Sequence, residues 1–342
     1  MKKEKKEYNP IYNLQYSSFW VKSGIRKYFY MGFKKIFQIF EKLGFHIVPN
    51  HYYSPIPDTR MLTDEIFSRY TDLIGIDLNE DEQLELLAIF ESNFKNEYNK
   101  FHRYKTKIPY QFYIKNGHFM GGDCEILYCM IRYFKPKRII EIGAGYSTFC
   151  SAQAILENKI ENSNYKCELI AIEPFPKELF KKGFPGFFKL IPKRLEELPV
   201  SIFKTLNEND ILFIDSSHVL KIGGDVKYEY LEILPRLNDG VLIHIHDILL
   251  PAEYPRDFVF DLFRFWNEQY LLQAFLIFNN SYKILWMGKF MHITYPEKLE
   301  KAFSSLKQDR IELNKKYYSS YKINLNTLPI SYPCSFWMKK IN

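Results

Sequence analysis

The chain has 342 residues, 46% of them hydrophobic and 25% charged. That balance belongs to a folded globular protein, and the length suits one large α/β domain with an extension. The net charge of +7 lies wholly in residues 1–42, which hold ten Lys and Arg against three Glu, so no basic footprint surrounds the rest and a nucleic-acid substrate is set aside. Apolar runs are too short to span a bilayer, and no apolar core directly follows the basic Met1–Glu7, which argues against a signal peptide. The cysteines (Cys124, Cys129, Cys150, Cys167, Cys334) are odd in number and form no C-x-x-C pair. They argue against a disulfide framework or structural zinc site and for a reducing cytoplasm.

Residues 22–43 predict a basic amphipathic helix, with Phe29, Phe33, Phe37 and Phe40 at helical spacing among lysines. It suits a peripheral membrane or partner surface, although a helix packed on its own domain with solvated lysines is the commoner arrangement. A loop stiffened by Pro49, Pro55 and Pro57 follows. A helix is expected over 80–98, with Asn79 as its cap, and another over 123–134, ended near Pro136.

From there strands and helices alternate. Short apolar strands are expected at Arg138–Ile142, Leu169–Ile172, Phe188–Ile191, 210–215 and 240–246, with a helix from about Ser147 and another over 223–234. Two late strands are expected at Tyr282–Trp286 and Ser335–Lys339, around a Lys-rich helical insertion at 296–318. This alternation predicts an α/β fold with a Rossmann-like, doubly wound, mostly parallel seven-stranded sheet. A mainly helical N-terminal extension over 1–115, a possible cap for an acceptor, would precede a catalytic domain over 116–342.

Glu141-Ile-Gly143-Ala-Gly145-Tyr146-Ser147-Thr148 sits where the first strand turns into a helix. Glycines there let the backbone turn sharply and approach a ligand. A dinucleotide turn is the competing expectation, but Thr148 stands where a third glycine belongs and an acid precedes the turn. Glu173, ending the second strand, can accept hydrogen bonds from both hydroxyls of a ribose.

The ordered set Glu141-x-Gly143-x-Gly145-x-Ser147, Ile172-Glu173, Phe213-Ile-Asp215-Ser216-Ser-His218 and Ile245-His246-Asp247 resembles the class I methyltransferases. More narrowly it resembles family 24 of the bacterial methyltransferases, similar to macrocin-type sugar O-methyltransferases and catechol O-methyltransferases. The resemblance covers about residues 120–290. It implies S-adenosyl-L-methionine as cofactor, with Glu141, Gly143, Gly145, Tyr146 and Ser147 around its methionine part and Glu173 on the ribose. Arg194 would lie by the adenine, and Asp215 and Ser216 would line the same pocket.

Ligands of an open parallel sheet bind beyond the carboxyl ends of its strands. Asp215, His218, His246 and Asp247 would meet there, as a divalent metal site (Asp215, Asp247, His246) or as catalytic groups (His218, His246, Asp215). In the family the two strand-end carboxylates hold magnesium. A histidine at 246, where an acid is usual, departs from that pattern, because magnesium prefers oxygen. His244, mid-strand, is expected to be a satisfied core residue. His51 and Arg256 are the candidate contacts to a small-molecule or carbohydrate acceptor. Two other classes stay open: an NAD-dependent oxidoreductase on a similar sheet, and a non-catalytic protein that docks through its basic helix.

Overall fold

The computed structural model describes residues 25–187, 189–318 and 332–342. By its contacts the chain forms two compact units. The smaller comprises residues up to Asp64 with Asp257–Phe265, and the larger comprises Glu65–Arg256 with Trp266–Asn342. The division falls at 64/65 rather than at 115/116.

In the smaller unit the basic segment forms helix α1 (Ile25–Lys42). Phe33 and Phe37 are half-buried, while Ile36, Ile39, Phe40 and Leu43 are exposed. The aromatic stripe is therefore only partly packed. No helix among the described residues is long and apolar enough to cross a membrane.

The larger unit is a seven-stranded sheet of order β3-β2-β1-β4-β5-β7-β6. The strands are β1 (Arg138–Ile142), β2 (Glu168–Ile172), β3 (Lys189–Ile191), β4 (Ile211–Ile214), β5 (Leu242–Ile245), β6 (Tyr282–Met287) and β7 (Phe336–Lys340). All pairings are parallel except those of β7 with β5 and β6. This is the expected doubly wound α/β arrangement. The expected third strand falls partly on Phe188, which lies outside the described residues. Most of the late insertion is helical, in Pro296–Ala302 and Ser304–Tyr318.

Alternating side chains cover both faces, as a parallel sheet requires. Ile139, Phe213, Leu242 and Trp337 meet one apolar layer, which includes α2 (Glu80–Tyr98), α3 (Asp123–Phe134) and α4 (Tyr146–Glu161). Ile140, Leu212, Ile243 and Met338 meet the other, which includes Val226, Tyr230 and the helix α5 (Glu268–Leu276). Helix α2 belongs to the larger unit because its apolar stripe is core: Leu87, Phe90, Phe94 and Tyr98 are all buried. Asn79 does not cap it through its side chain. It sits in the left-handed region, and its amide donates to the carbonyl of Ile284 at 3.3 Å.

Register then sets the site. Glu141 pairs with Phe213, Phe213 with His244, and His244 with Trp337, so these four share one face in a row across the sheet. One pleat further on, beyond the strand ends, the same face carries Gly143, Asp215, His246 and Ser335. His244 is fully buried, stacked on Trp337 with ring centroids 4.5 Å apart, and neither ring nitrogen has a hydrogen-bond partner. Burial holds it neutral, with a pKa well below the ordinary one. It is a core residue, as expected, but an unsatisfied one.

Candidate active site

The turn after β1 is the first part of the site. Gly143 has φ +96°, and a Cβ there would lie 2.5 Å from the backbone oxygen of Asp215, so only glycine lets β1 and β4 close together at their ends. The pairing continues in the bond from Asp215 N to the Ile142 carbonyl, 3.0 Å. At Gly145 a Cβ would meet nothing within 4 Å: the backbone opens onto free space at the start of α4. Its amide donates to Thr148 Oγ1 at 3.0 Å.

Glu141 is 1% exposed. It accepts a hydrogen bond from Ser147 Oγ at 2.5 Å, while its Oε2 has no partner. Burial pushes its carboxyl up to about 8, against the pull of Ser147 and Thr148 and with a small addition from Asp215. A buried carboxylate with one idle oxygen beside an open glycine turn suits a ligand that brings positive charge. The residues present therefore fit a sulfonium- and ammonium-bearing cofactor.

The other expected cofactor contacts surround this turn. Tyr146 is half-buried, with its hydroxyl 3.1 Å from that of Tyr113. Glu173 follows β2, half-buried, and accepts from the amide of Phe175 at 2.8 Å. Its own amide donates to Ile191 at the end of β3. Arg194 is exposed just beyond β3. Ser216 turns toward a buried acid instead, donating to Glu229 Oε2 at 3.2 Å. Burial, with help from nearby Glu268 and Asp225, holds Glu229 well above the carboxylate range.

The second part lies at the ends of β4 and β5. His218 is buried and has φ +58°. Its carbonyl accepts from the amides of Asn267 and Glu268 at the start of α5. This docking aims the ring inward. Nδ1 lies 2.9 Å from Glu268 Oε2, and Nε2 lies 3.3 Å from Asp215 Oδ1 and 3.5 Å from Asp247 Oδ2. Trp266 covers the ring at 4.4 Å between centroids. Burial opposes the imidazolium, but Asp215, Glu268 and Asp247 outweigh it and hold the His218 pKa well above the ordinary value. Burial likewise opposes the Asp215 anion, and the imidazoles of His246 and His218 outweigh it, leaving the acid well below the usual range.

His246 is buried between two clusters. Its Nδ1 lies 3.6 Å from Asp215 Oδ1 and 3.7 Å from Asp247 Oδ1. Its Nε2 lies 3.4 Å from Cys334 Sγ and 3.8 Å from Asp123 Oδ2. The expected catalytic and metal-binding groups thus converge. On the Asp215/Asp247 side, however, a cation competes with the imidazolium of His218, which already faces both carboxylates.

A methyltransferase-domain family, family 24, matches residues 140–248. The matched segment runs from β1 to just past Asp247 and so contains both halves of this edge. An uncharacterised protein of Archaeoglobus fulgidus is 34% identical over 171 residues, which cover 48% of this chain and 75% of that one. The chain belongs to the class I methyltransferases. Among solved structures, a candidate protein-L-isoaspartate O-methyltransferase of Plasmodium falciparum, crystallised with S-adenosyl-L-homocysteine, matches 49% of this chain and 77% of its own. The identity is 16% and the TM-score 0.25, too loose for any argument about residues.

The two acceptor candidates fall in different units. Arg256 is exposed at the start of the short helix Arg256–Phe260. His51 falls in the smaller unit, where its Nδ1 accepts from the amide of Tyr53 at 3.0 Å. Three residues at the edge carried no clear signal in the sequence. Asp123 reads as an ordinary first-turn acid, Cys334 as an unpaired thiol, and Glu268 as one polar residue in a run from Trp266 to Tyr270.

Proposed function

We propose that this methyltransferase transfers the methyl group of S-adenosyl-L-methionine to a hydroxyl of a small molecule or carbohydrate, with His218 as the general base. The observation that carries the reading is the pairing of two unlike acid sites on one sheet edge: a cation-seeking Glu141 at the glycine turn and a charge-compensated histidine beyond β4. The sulfonium donor supplies an already activated methyl group. The chain's own residues then have two tasks.

The first is to hold donor and acceptor in line, which contributes about 7–11 kcal/mol in well-oriented systems. Glu141, the amides around Gly145 and the Glu173 carboxylate are the groups for the donor. The second is to take the hydroxyl proton. His218 is anchored at Nδ1 by Glu268, so Nε2 is the atom that accepts it, in an arrangement like the acid-oriented histidine of other hydroxyl-activating enzymes. The carboxylates around His218 keep it protonated at neutral pH. Its base form therefore grows in above neutrality, and turnover should rise into the alkaline range. A sugar hydroxyl agrees with the macrocin-type resemblance of the motifs.

The test is incubation of purified protein with labelled donor and a panel of hydroxylated acceptors, read by mass spectrometry with and without chelator. Calorimetry with S-adenosyl-L-homocysteine, on the native chain and on Glu173→Ala, runs beside it. Label on an acceptor oxygen and weaker binding by the variant are expected. No binding of donor or product by the native chain sinks the reading.

A further inference from the structure

A second cluster lies on the far side of His246, where no step of methyl transfer needs it. Asp123 opens α3, His246 follows β5, and Cys334 precedes β7, and all three are buried. The carboxylate of Asp123 is fixed through Oδ1 by the amides of Cys334 and Ser335, at 2.9 and 2.8 Å. That leaves its Oδ2 facing Cys334 Sγ at 3.5 Å and His246 Nε2 at 3.8 Å, and the sulfur lies 3.4 Å from the same nitrogen. An ion set above a triangle of these edges with tetrahedral angles would stand about 2.2 Å from each corner. Zinc lies at ~2.0–2.2 Å from nitrogen and oxygen ligands and ~2.3 Å from sulfur, with tetrahedral angles. The three atoms are spaced as ligands of such an ion are spaced, without any side chain having to move far.

Proton counting points the same way. The thiol of Cys334 has one hydrogen and faces two carboxylate oxygens, Asp123 Oδ2 and, at 3.2 Å, Asp247 Oδ1. A thiol satisfies one of them at a time, whereas a cation in the triangle would take Asp123 Oδ2, His246 Nε2 and the sulfur together. Lys289 stands by the cluster as a rival cation. Burial brings its ammonium down to about 8, and Cys334 and Asp123 both act on it.

We propose that Asp123, His246 and Cys334 form a buried site for a thiophilic divalent cation of the zinc class, separate from the Asp215/Asp247 side of His246 where the family's magnesium would lie. The mixed nitrogen, sulfur and oxygen donor set selects such an ion over magnesium. Binding forms a metal–sulfur bond at the expense of the S–H bond and a metal–nitrogen bond in place of any N–H at His246 Nε2, and the displaced protons leave to solvent. A bound ion would tie α3, β5 and β7 together beneath the catalytic edge.

Cobalt(II) is the probe, because a cobalt–thiolate bond gives a charge-transfer absorption that oxygen and nitrogen ligands do not. The full native chain, freed of metal and titrated with cobalt and then zinc, should bind one equivalent with that absorption. Cys334→Ser should lose the band and at least tenfold in affinity. Should Cys334→Ser not fold, Asp123→Asn retains the thiol and the carbonyl that accepts from both amides. It should keep the band and bind at least tenfold more weakly. Absence of the band in the native chain overturns the proposal, as does its survival in Cys334→Ser or unchanged affinity in Asp123→Asn. The readout does not involve methyl transfer, so its failure leaves the proposed activity untouched.

Discussion

At the end of β1, Glu141 is shut away from water with one oxygen idle, and its carboxyl is pushed up to about 8. At the ends of β4 and β5, Asp215 and Asp247 face imidazoles at 3.3–3.7 Å, and Asp215 is held well below the usual range. These carboxylates share one sheet edge, yet their surroundings drive Glu141 and Asp215 in opposite directions. Isolation leaves the first in want of a positive ligand. Compensation makes the second a place where a proton can be held and moved with little change in net charge. A donor that arrives with positive charge and an acceptor that must lose a proton call for these two environments side by side.

The largest break in the comparison should come from His218→Ala, which removes the proposed base and leaves the β1 turn intact. Turnover should fall by about 10²–10⁴-fold, while calorimetry shows donor affinity changed by less than about threefold. A parallel loss of donor binding would merge the two halves into one.

Next come the two glycines of the turn. Gly143→Ala should destabilise the fold by about 1–3 kcal/mol in chemical denaturation, since its φ is positive and its Cβ would strike Asp215. Gly145→Ala meets only open space, so its stability should change by less than about 1 kcal/mol. Its cost should appear in donor affinity instead.

Glu268→Gln keeps an oxygen against His218 and removes a charge. A roughly tenfold loss of turnover is expected, with the alkaline rise of the pH profile moved to lower pH. Stability unchanged and turnover unchanged together would remove Glu268 from the mechanism.

The smallest effect is the pH dependence of donor binding. The Glu141 carboxyl lies above its ordinary 4.5, so the free protein holds an extra proton there between about 4.5 and 8. Folding stability from this group therefore falls as pH rises through that window. A cationic donor favours the ionised form, so its affinity should rise a few-fold as pH approaches 8 and then level off. In Glu141→Gln the curve should be flat.

Much of this was legible before any coordinates. The hydrophobic runs located every strand to within a residue or two, because a strand buried on both faces must be apolar along its length. The glycine turn was equally plain, since a chain that bends back at Gly143 against Asp215 has no alternative residue. Other features were not legible. Cysteine spacing argued against zinc, but spacing reports only groups close in sequence, whereas the pairing of β7 with β5 brings Cys334 to His246 and the amides of Cys334 and Ser335 hold Asp123 beside them. The side-chain cap expected at Asn79 does not form: its backbone is left-handed rather than extended, and its amide nitrogen donates to the distant carbonyl of Ile284.

The sequence by itself determined which residues turn, which lie in the sheet, and that acids and histidines end its central strands. Local sterics and burial of apolar area act residue by residue, and so they leave a pattern along the chain. Only the tertiary structure decided which acid stands alone and which is compensated. A carboxylate's proton depends on charges and solvent within a few ångströms, and for Asp215 those neighbours are His246 from the end of β5 and His218, itself held by Glu268 from 50 residues away.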